Sequence, residues 1–408
     1  MTAKWTFMVY MAGDNNLSGA GDTDLGEMRA VGSTADVNVV VQFDNAGAHG
    51  TTRYFVKPQG VAETTQDLGP TDSGSPEVLL GFIDWVAANY PADRYALILW
   101  NHGGGWEPSE MDRIAQKVGA AGYSGRESAE RSATPLGRAF FRTTLEKIIG
   151  LASSADRAIC SDDGSGHSLD TVELGNVLAQ GAAKLGQPFD LLGMDACLMS
   201  NLEVAYQARP YARYIVASEE SEPNEGWPYD AVLRSLAGHP DQSTSEFAAH
   251  IVSAYIQSYA DRNYPGDVTQ AALDLSQIEA VAKPLDQLAD ALIARMPRAK
   301  TQIWQAQYQS ARFFHNTLWD IADFCAQLRK LSRDPKVRAA AGDVLTALGA
   351  GPGRFVLAEA HAGAGVARCA GASIYLPALV DVSRYYAELE FAKAHHWPAL
   401  LDATHARK

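Results

Sequence analysis

Apolar positions in the first half of the chain come in short continuous runs separated by amphipathic stretches. Residues 5–11, 37–43, 95–100, 190–194 and 213–218 are dense in Val, Ile, Leu, Met and aromatic side chains and read as strands. Between them, residues 76–89 set Val78, Leu79, Phe82, Ile83, Val86 and Ala87 on one helical stripe. Strands that are apolar at nearly every position are covered on both faces, and helices between strands give a parallel order. The expected fold is therefore α/β, a mostly parallel sheet with helices on both faces. Residues 51–57 predict an added hairpin strand.

After about residue 240 the pattern turns helical. Helices are expected at 244–260, 276–295 and 299–331, with strands at 268–274, 354–360 and 370–376. The chain thus reads as a unit over 1–240 followed by a C-terminal helical α/β subdomain over 241–408. Residues 107–159 interrupt the first unit. They carry Arg113, Lys117, Arg126, Arg131, Arg138, Arg142, Lys147 and Arg157, and 119–133 is rich in Gly, Ala and Ser. This is the pattern of an exposed basic insertion, with some helix near 138–152.

Charge narrows the functions. The 34 Lys and Arg against 48 Asp and Glu leave a net charge of −14, which argues against nucleic acid and against an anionic membrane surface as partners. No apolar run approaches the ~18 residues of a membrane span. Met1-Thr2-Ala3-Lys4 leads straight into the first strand, so a cytoplasmic location is expected. Cys160, Cys197, Cys325 and Cys369 lie far apart with no C-x-x-C pair, which argues against a zinc ribbon or a redox motif.

Two strand ends carry candidate chemistry. The run 95–100 ends in Asn101-His102-Gly103-Gly104-Gly105-Trp106, and the run 190–194 ends in Asp195-Ala196-Cys197-Leu198-Met199. In open α/β sheets functional groups collect beyond the carboxyl ends of the strands. His102 titrates near neutrality and suits general acid–base work. Cys197 suits a nucleophile, and Ser200 with Glu203 predicts a capping box for a helix at 200–209 just after it. The backbone N–H groups of Gly103 and Cys197 are candidates for an oxyanion hole. Cys325 and Cys369 read as core residues.

Several segments taken together resemble the clostripain family, the C11 cysteine peptidases of the caspase-like clan. They are Met8-Val9-Tyr10-Met11-Ala12-Gly13-Asp14-Asn15-Asn16-Leu17, the His102 block through Trp106, Asp162-Asp163-Gly164-Ser165-Gly166, Met194-Asp195-Ala196-Cys197-Leu198-Met199, Glu225-Gly226-Trp227-Pro228-Tyr229 and Gly371-Ala372-Ser373-Ile374-Tyr375-Leu376-Pro377. The resemblance implies a His102–Cys197 dyad, an acyl-enzyme, and cleavage of protein or peptide substrates after Arg or Lys. It implies that Asp195 reads the basic P1 side chain, with Glu225 as a second acidic wall of the S1 pocket. The insertion 107–159 then becomes a candidate activation loop, lid or docking surface for a regulatory protein, with Arg126 and Arg131 as candidate self-cleavage sites. No cofactor or metal is required on this reading. Calcium enters only through Asp162 and Asp163, which read more simply as a turn capping a helix at 168–184. Two rivals remain, a catalytically silent interaction protein and a thiol transpeptidase or ligase.

Overall fold

The computed structural model describes residues 2–14, 17–45, 50–101, 103, 106, 169–313, 317–378, 381–383 and 385–406. Nine strands form one sheet: β1 (Ala3–Gly13), β2 (Val37–Asn45), β3 (Gly50–Phe55), β4 (Thr64–Gly69), β5 (Ala92–Trp100), β6 (Phe189–Asp195), β7 (Ala212–Ala217), β8 (Val268–Asp274) and β11 (Val356–Ala362). Their order across the sheet is β11-β8-β7-β6-β5-β1-β2-β3-β4. The five central strands, β7 to β2, are mutually parallel, and both edges are finished by antiparallel pairs. The fold is the caspase-like α/β arrangement expected above.

The apolar runs are continuous because alternate residues of one strand enter two different cores. Trp5, Phe7, Val9 and Met11 of β1 pack with α1 (Ser18–Val31) on one face. Met8, Tyr10 and Ala12 pack with α2 (Pro76–Asn89) and α3 (Thr171–Leu185) on the other. Burial of a large apolar side chain contributes about 1.5–3 kcal/mol, so a one-residue slip of β1 would exchange every contact on both faces. The helix at 76–89 occurs with the bounds expected, started by Ser75 accepting the Glu77 N–H and by Pro76 at its first position. α3 begins at a capping box in which Asp170 and Glu173 satisfy each other's backbone N–H groups.

The segment after residue 240 does not stand apart. Its strands β8 and β11 extend the first sheet beyond β7, and α5 (Tyr229–Gly238) and α6 (Thr244–Asp261) share a core with β1, β2 and β5. The division at 240 is a change in sequence character within one packed body. Helices α7 (Ile278–Ile293), α8 (Arg298–Gln309), α9 (Ile321–Leu331) and α10 (Pro335–Leu348) follow.

Three local expectations are corrected. The single helix over 299–331 is two helices, α8 and α9, separated by short strands β9 (Arg312–Phe313) and β10 (Leu318–Asp320). β10 pairs on both sides, with β9 and with β12 (Ser373–Tyr375), in a second sheet, and Asp320 caps α9 by accepting the Asp323 N–H. That hydrogen bonding comes from a strand more than fifty residues later, so helical periodicity gave no sign of it. The expected single added strand is a β3–β4 hairpin, whose second strand is polar and exposed. The helix after Cys197, α4 (Leu202–Ala208), is capped by Asn201 and not by Ser200. Ser200 Oγ donates to the Gly371 carbonyl at 2.6 Å. The Glu203 carboxylate instead accepts the Tyr375 N–H and the Tyr386 hydroxyl, both at 3.0 Å. The insertion 107–159 lies outside the described residues. Among those described, no helix is long and apolar enough to cross a membrane.

Burial raises the Glu203 carboxyl from its ordinary 4.5 to about 7. The folded state therefore holds a proton that the unfolded chain releases, and this contribution is full below pH 4.5 and lost as pH rises through 7. The shift corresponds to about 3 kcal/mol of pH-dependent stability. Glu203→Gln should flatten the fall in Tm between pH 5 and 8 relative to the native chain. An unchanged slope would mean that the carboxyl ionises freely.

Candidate active site

The strand order reverses between β1 and β5: the chain leaves β1 toward β2 and returns on the other side. Ligand clefts in doubly wound sheets lie at the carboxyl ends of such a switch point. Register fixes what meets there, because Trp100 at the end of β5 stands between Met11 of β1 and Asp195 of β6. The ladder runs one step further, with the Asn101 N–H donating to the Asp195 carbonyl at 3.1 Å. A small cleft opens over these ends, lined by Leu17, Trp100, Asn101, Asp195, Ala196, Cys197, Glu222, Pro223, Asn224 and Gly226.

Cys197 is buried, and the loop after β7 folds back over it. Its Sγ accepts the Glu222 N–H at 3.2 Å and faces the Glu222 carbonyl at 3.7 Å. Burial raises the thiol pKa, and the Glu222 and Gly103 N–H groups act in the opposite direction. Gly103 is pressed onto this turn, because a Cβ there would stand 2.2 Å from the Cys197 carbonyl oxygen and 3.0 Å from its nitrogen. The next residue, Leu198, has φ of 66° although it is not a glycine and is fully buried. A left-handed leucine carries strain that surrounding contacts must hold, and such residues cluster at functional turns. Here the Leu198 N–H is tied to the Glu220 carbonyl at 3.2 Å. No residue-type signal in the sequence marks this position.

Asp195 lies at the cleft floor. Its Oδ2 accepts the Tyr229 hydroxyl at 2.8 Å and the Trp227 N–H at 3.3 Å. Gly226, at φ 52°, packs on it so closely that a Cβ would lie 3.0 Å from both oxygens. Burial raises the Asp195 pKa, opposed by hydrogen bonds from Glu222, Tyr229 and Trp227. The Glu222 carboxyl is raised well above its ordinary value by burial and by Asp195. Asp24 on α1 accepts the Trp100 indole N–H at 2.6 Å, and burial together with Asp195 pushes it to about 9. Among the described residues, none of these three carboxyls forms an ion pair with Lys or Arg.

The expected second acid, Glu225, is exposed, whereas Glu222, Asn224 and Gly226 line the cleft. Glu222 is the carboxyl set against Asp195, a placement that sequence reading missed. It stands in the acid-rich run Glu219-Glu220-Ser221-Glu222, where spacing alone does not tell which side chain turns inward. His102, Arg126, Arg131, Asp162 and Asp163 lie outside the described residues. The neighbours of His102 in sequence are described: Asn101 continues the β5–β6 ladder, Gly103 faces Cys197, and Trp106 packs edge-on to Tyr375 and Tyr386 at 4.6 and 4.8 Å.

A buried thiol with a backbone donor, beside a carboxyl pair at the switch point of a caspase-like sheet, is the arrangement that a cysteine peptidase fold places there. The clostripain family model matches residues 9–127 and 147–403, and the chain belongs to that family, the C11 cysteine endopeptidases. It is 23% identical over 389 residues to clostripain from Hathewaya histolytica, which covers 80% of this chain and 66% of that protein, so the chain spans just under two thirds of the length of that relative. Two solved structures share the fold. One is a secreted C11 cysteine protease from Bacteroides thetaiotaomicron in complex with an irreversible peptide inhibitor (18% identity, TM-score 0.65, 98% of this chain and 99% of that one). The other is an inactive zymogen C11 protease from Parabacteroides distasonis (19% identity, TM-score 0.66, 96% and 98%).

Gly103→Ala tests the turn. The added methyl group forces the two strand-end loops apart, and displacement near 1 Å at a reacting centre costs about 100-fold in rate. Peptidase kcat/KM should fall by that order while the far-ultraviolet dichroism stays native. Full activity in this variant would mean that the Gly103–Cys197 contact is not maintained during turnover.

Proposed function

We propose that this chain is an endopeptidase that cleaves protein or peptide substrates after Arg or Lys, with Cys197 as nucleophile and His102 as general acid–base. The observation that carries the reading is the buried Asp195–Glu222 carboxyl pair in the same cleft as the Cys197 thiol. A carboxylate takes a guanidinium in a bidentate fork, so a basic P1 side chain supplies the cation that this pair lacks among the described residues. Glu222, not the exposed Glu225, is the second acid of the proposed pocket.

In this mechanism the Cys197 Sγ attacks the scissile carbonyl carbon as its proton passes to His102. His102 then protonates the leaving amine, and water hydrolyses the thioester. The developing oxyanion is held by the N–H groups of Gly103 and Cys197. The closeness of Gly103 to the Cys197 backbone, and its position next to His102 in sequence, support this assignment. The chemistry needs no redox cofactor or metal. Assays with and without calcium read any contribution from Asp162 and Asp163. A cytoplasmic site of action is part of the reading; the Bacteroides relative is secreted, so cell fractionation is the check.

Cys197→Ala should abolish hydrolysis with the fold retained, and His102→Ala should lower kcat by about 10²–10⁴-fold with P1 preference unchanged. Turnover by Cys197→Ala would end the mechanism, and a catalytically silent protein would show no turnover in the native chain either. Added amine acceptors separate hydrolysis from transpeptidation in the product spectrum.

Asp195→Asn should lose about 10- to 150-fold in kcat/KM on Arg and Lys substrates, the worth of a hydrogen-bonded charge pair. Cys197 should still react with a small alkylating agent. The same specificity directs self-cleavage at Arg126 or Arg131 in the Gly- and Ser-rich part of the insertion. Native protein at micromolar concentration should yield two fragments meeting near residue 130, and Cys197→Ala should stay whole. An intact and fully active native chain in the mass spectrum would make the insertion a lid or docking surface instead.

A further inference from the structure

Outside the cleft, three buried side chains from separate segments converge. Glu219 follows β7, Asp320 ends β10, and Cys369 lies in the loop before β12. A carboxylate oxygen of each acid and the Cys369 Sγ all lie within 4.8 Å of one another. Their exposures are 1%, 0% and 6%. Backbone donors orient both carboxylates: Glu219 Oε2 accepts the Gly371 N–H at 2.9 Å, and Asp320 accepts the Ala370 and Asp323 N–H groups at 2.6 Å each. Glu219 Oε1 is left buried with no hydrogen-bond partner, on a side chain that faces Asp320. The nearby Arg368 is committed to Asp323 at 2.8 Å and to the Gln309 carbonyl at 2.9 Å. Two carboxyls taken out of water side by side require either a proton or a cation between them.

We propose that Glu219, Asp320 and Cys369 form a metal site that takes zinc or a similar divalent ion. Calcium and magnesium prefer shells of about six or more oxygens, whereas one sulfur and two carboxylate oxygens suit an ion of borderline softness and low coordination number. Zinc bonds of about 2.0–2.3 Å place tetrahedral ligands roughly 3.3–3.8 Å apart, within reach of small side-chain rotations from the observed spacing. Backbone N–H groups bonded to the carboxylates are the outer support that such ligands need. Binding exchanges the Cys369 thiol proton for the metal–sulfur bond and displaces the proton held between the two carboxyls, and both protons go to solvent. The ion joins β7 to the loop that carries β12, and so fastens the small sheet to the large one. Glu219 is three residues from Glu222, so the same ion stiffens the wall of the cleft.

The test uses the full chain carrying Cys197→Ala, so that the cleft thiol cannot contribute. Protein purified from zinc-supplemented medium should hold about one zinc per chain by mass spectrometry of the metal. Cobalt exchanged into the site should give a thiolate-to-metal charge-transfer band. Adding Cys369→Ser should remove that band and weaken zinc binding by about 10-fold or more, and Glu219→Gln should also weaken it. A strong chelator should lower Tm only in the chain that retains Cys369. If the chain with native Cys369 holds no more metal than the Cys369→Ser chain, and zinc shifts its Tm by less than about 1 °C, the site does not exist and the two carboxyls share a proton.

Discussion

Everything at the cleft depends on the hydrogen-bond ladder between β5 and β6. It sets Trp100 opposite Asp195 and continues one step beyond the strands through the Asn101 N–H. Because the strands are parallel, both chains leave the sheet at the same end, and their loops must pass each other at contact distance. That contact is the Gly103–Cys197 approach, where no side chain fits. A parallel ladder is thus the device that brings together two segments separated by more than ninety residues.

The second organising feature is a group of acids that form no ion pair with Lys or Arg among the described residues. Asp195 at the cleft and Asp24 behind it are buried, Glu222 is half-buried with its carboxyl turned inward, and each has its pKa raised chiefly by burial. Neutral hydroxyl, amide and indole donors hold them in place. Such a site favours an incoming cation strongly over a neutral group, since only the cation relieves the cost of ionising buried acids. On the proposed reading, selectivity for a basic side chain rests on these acids, which form no ion pair with Lys or Arg among the described residues, more than on the shape of the cavity.

The C-terminal segment completes this arrangement. Ser373 pairs with the chain at Ser200, Tyr375 donates its N–H to Glu203, and Tyr375 with Tyr386 receives Trp106. The turn carrying Cys197 and the segment ending at Trp106 are therefore both buttressed by residues 371–386. The left-handed Leu198 is affordable because so many contacts surround it.

The sequence by itself determined the parallel sheet, most strand positions, the helix at 76–89 and the two strand ends with candidate chemistry. These rest on periodicity and on apolar runs, which are local and which burial enforces at every residue. It also named Asp195 and Cys197, because their strand ends in a short motif. Only the tertiary structure decided that Glu222 rather than Glu225 joins Asp195, since four acids within seven residues look alike until a loop folds over the sheet. The same holds for Asn201 displacing Ser200 as a cap, for the strand that breaks the expected helix at 299–331, and for the convergence of Glu219, Asp320 and Cys369. In each case the deciding partner lies far away in sequence, and the energy of that contact outweighs the local preference.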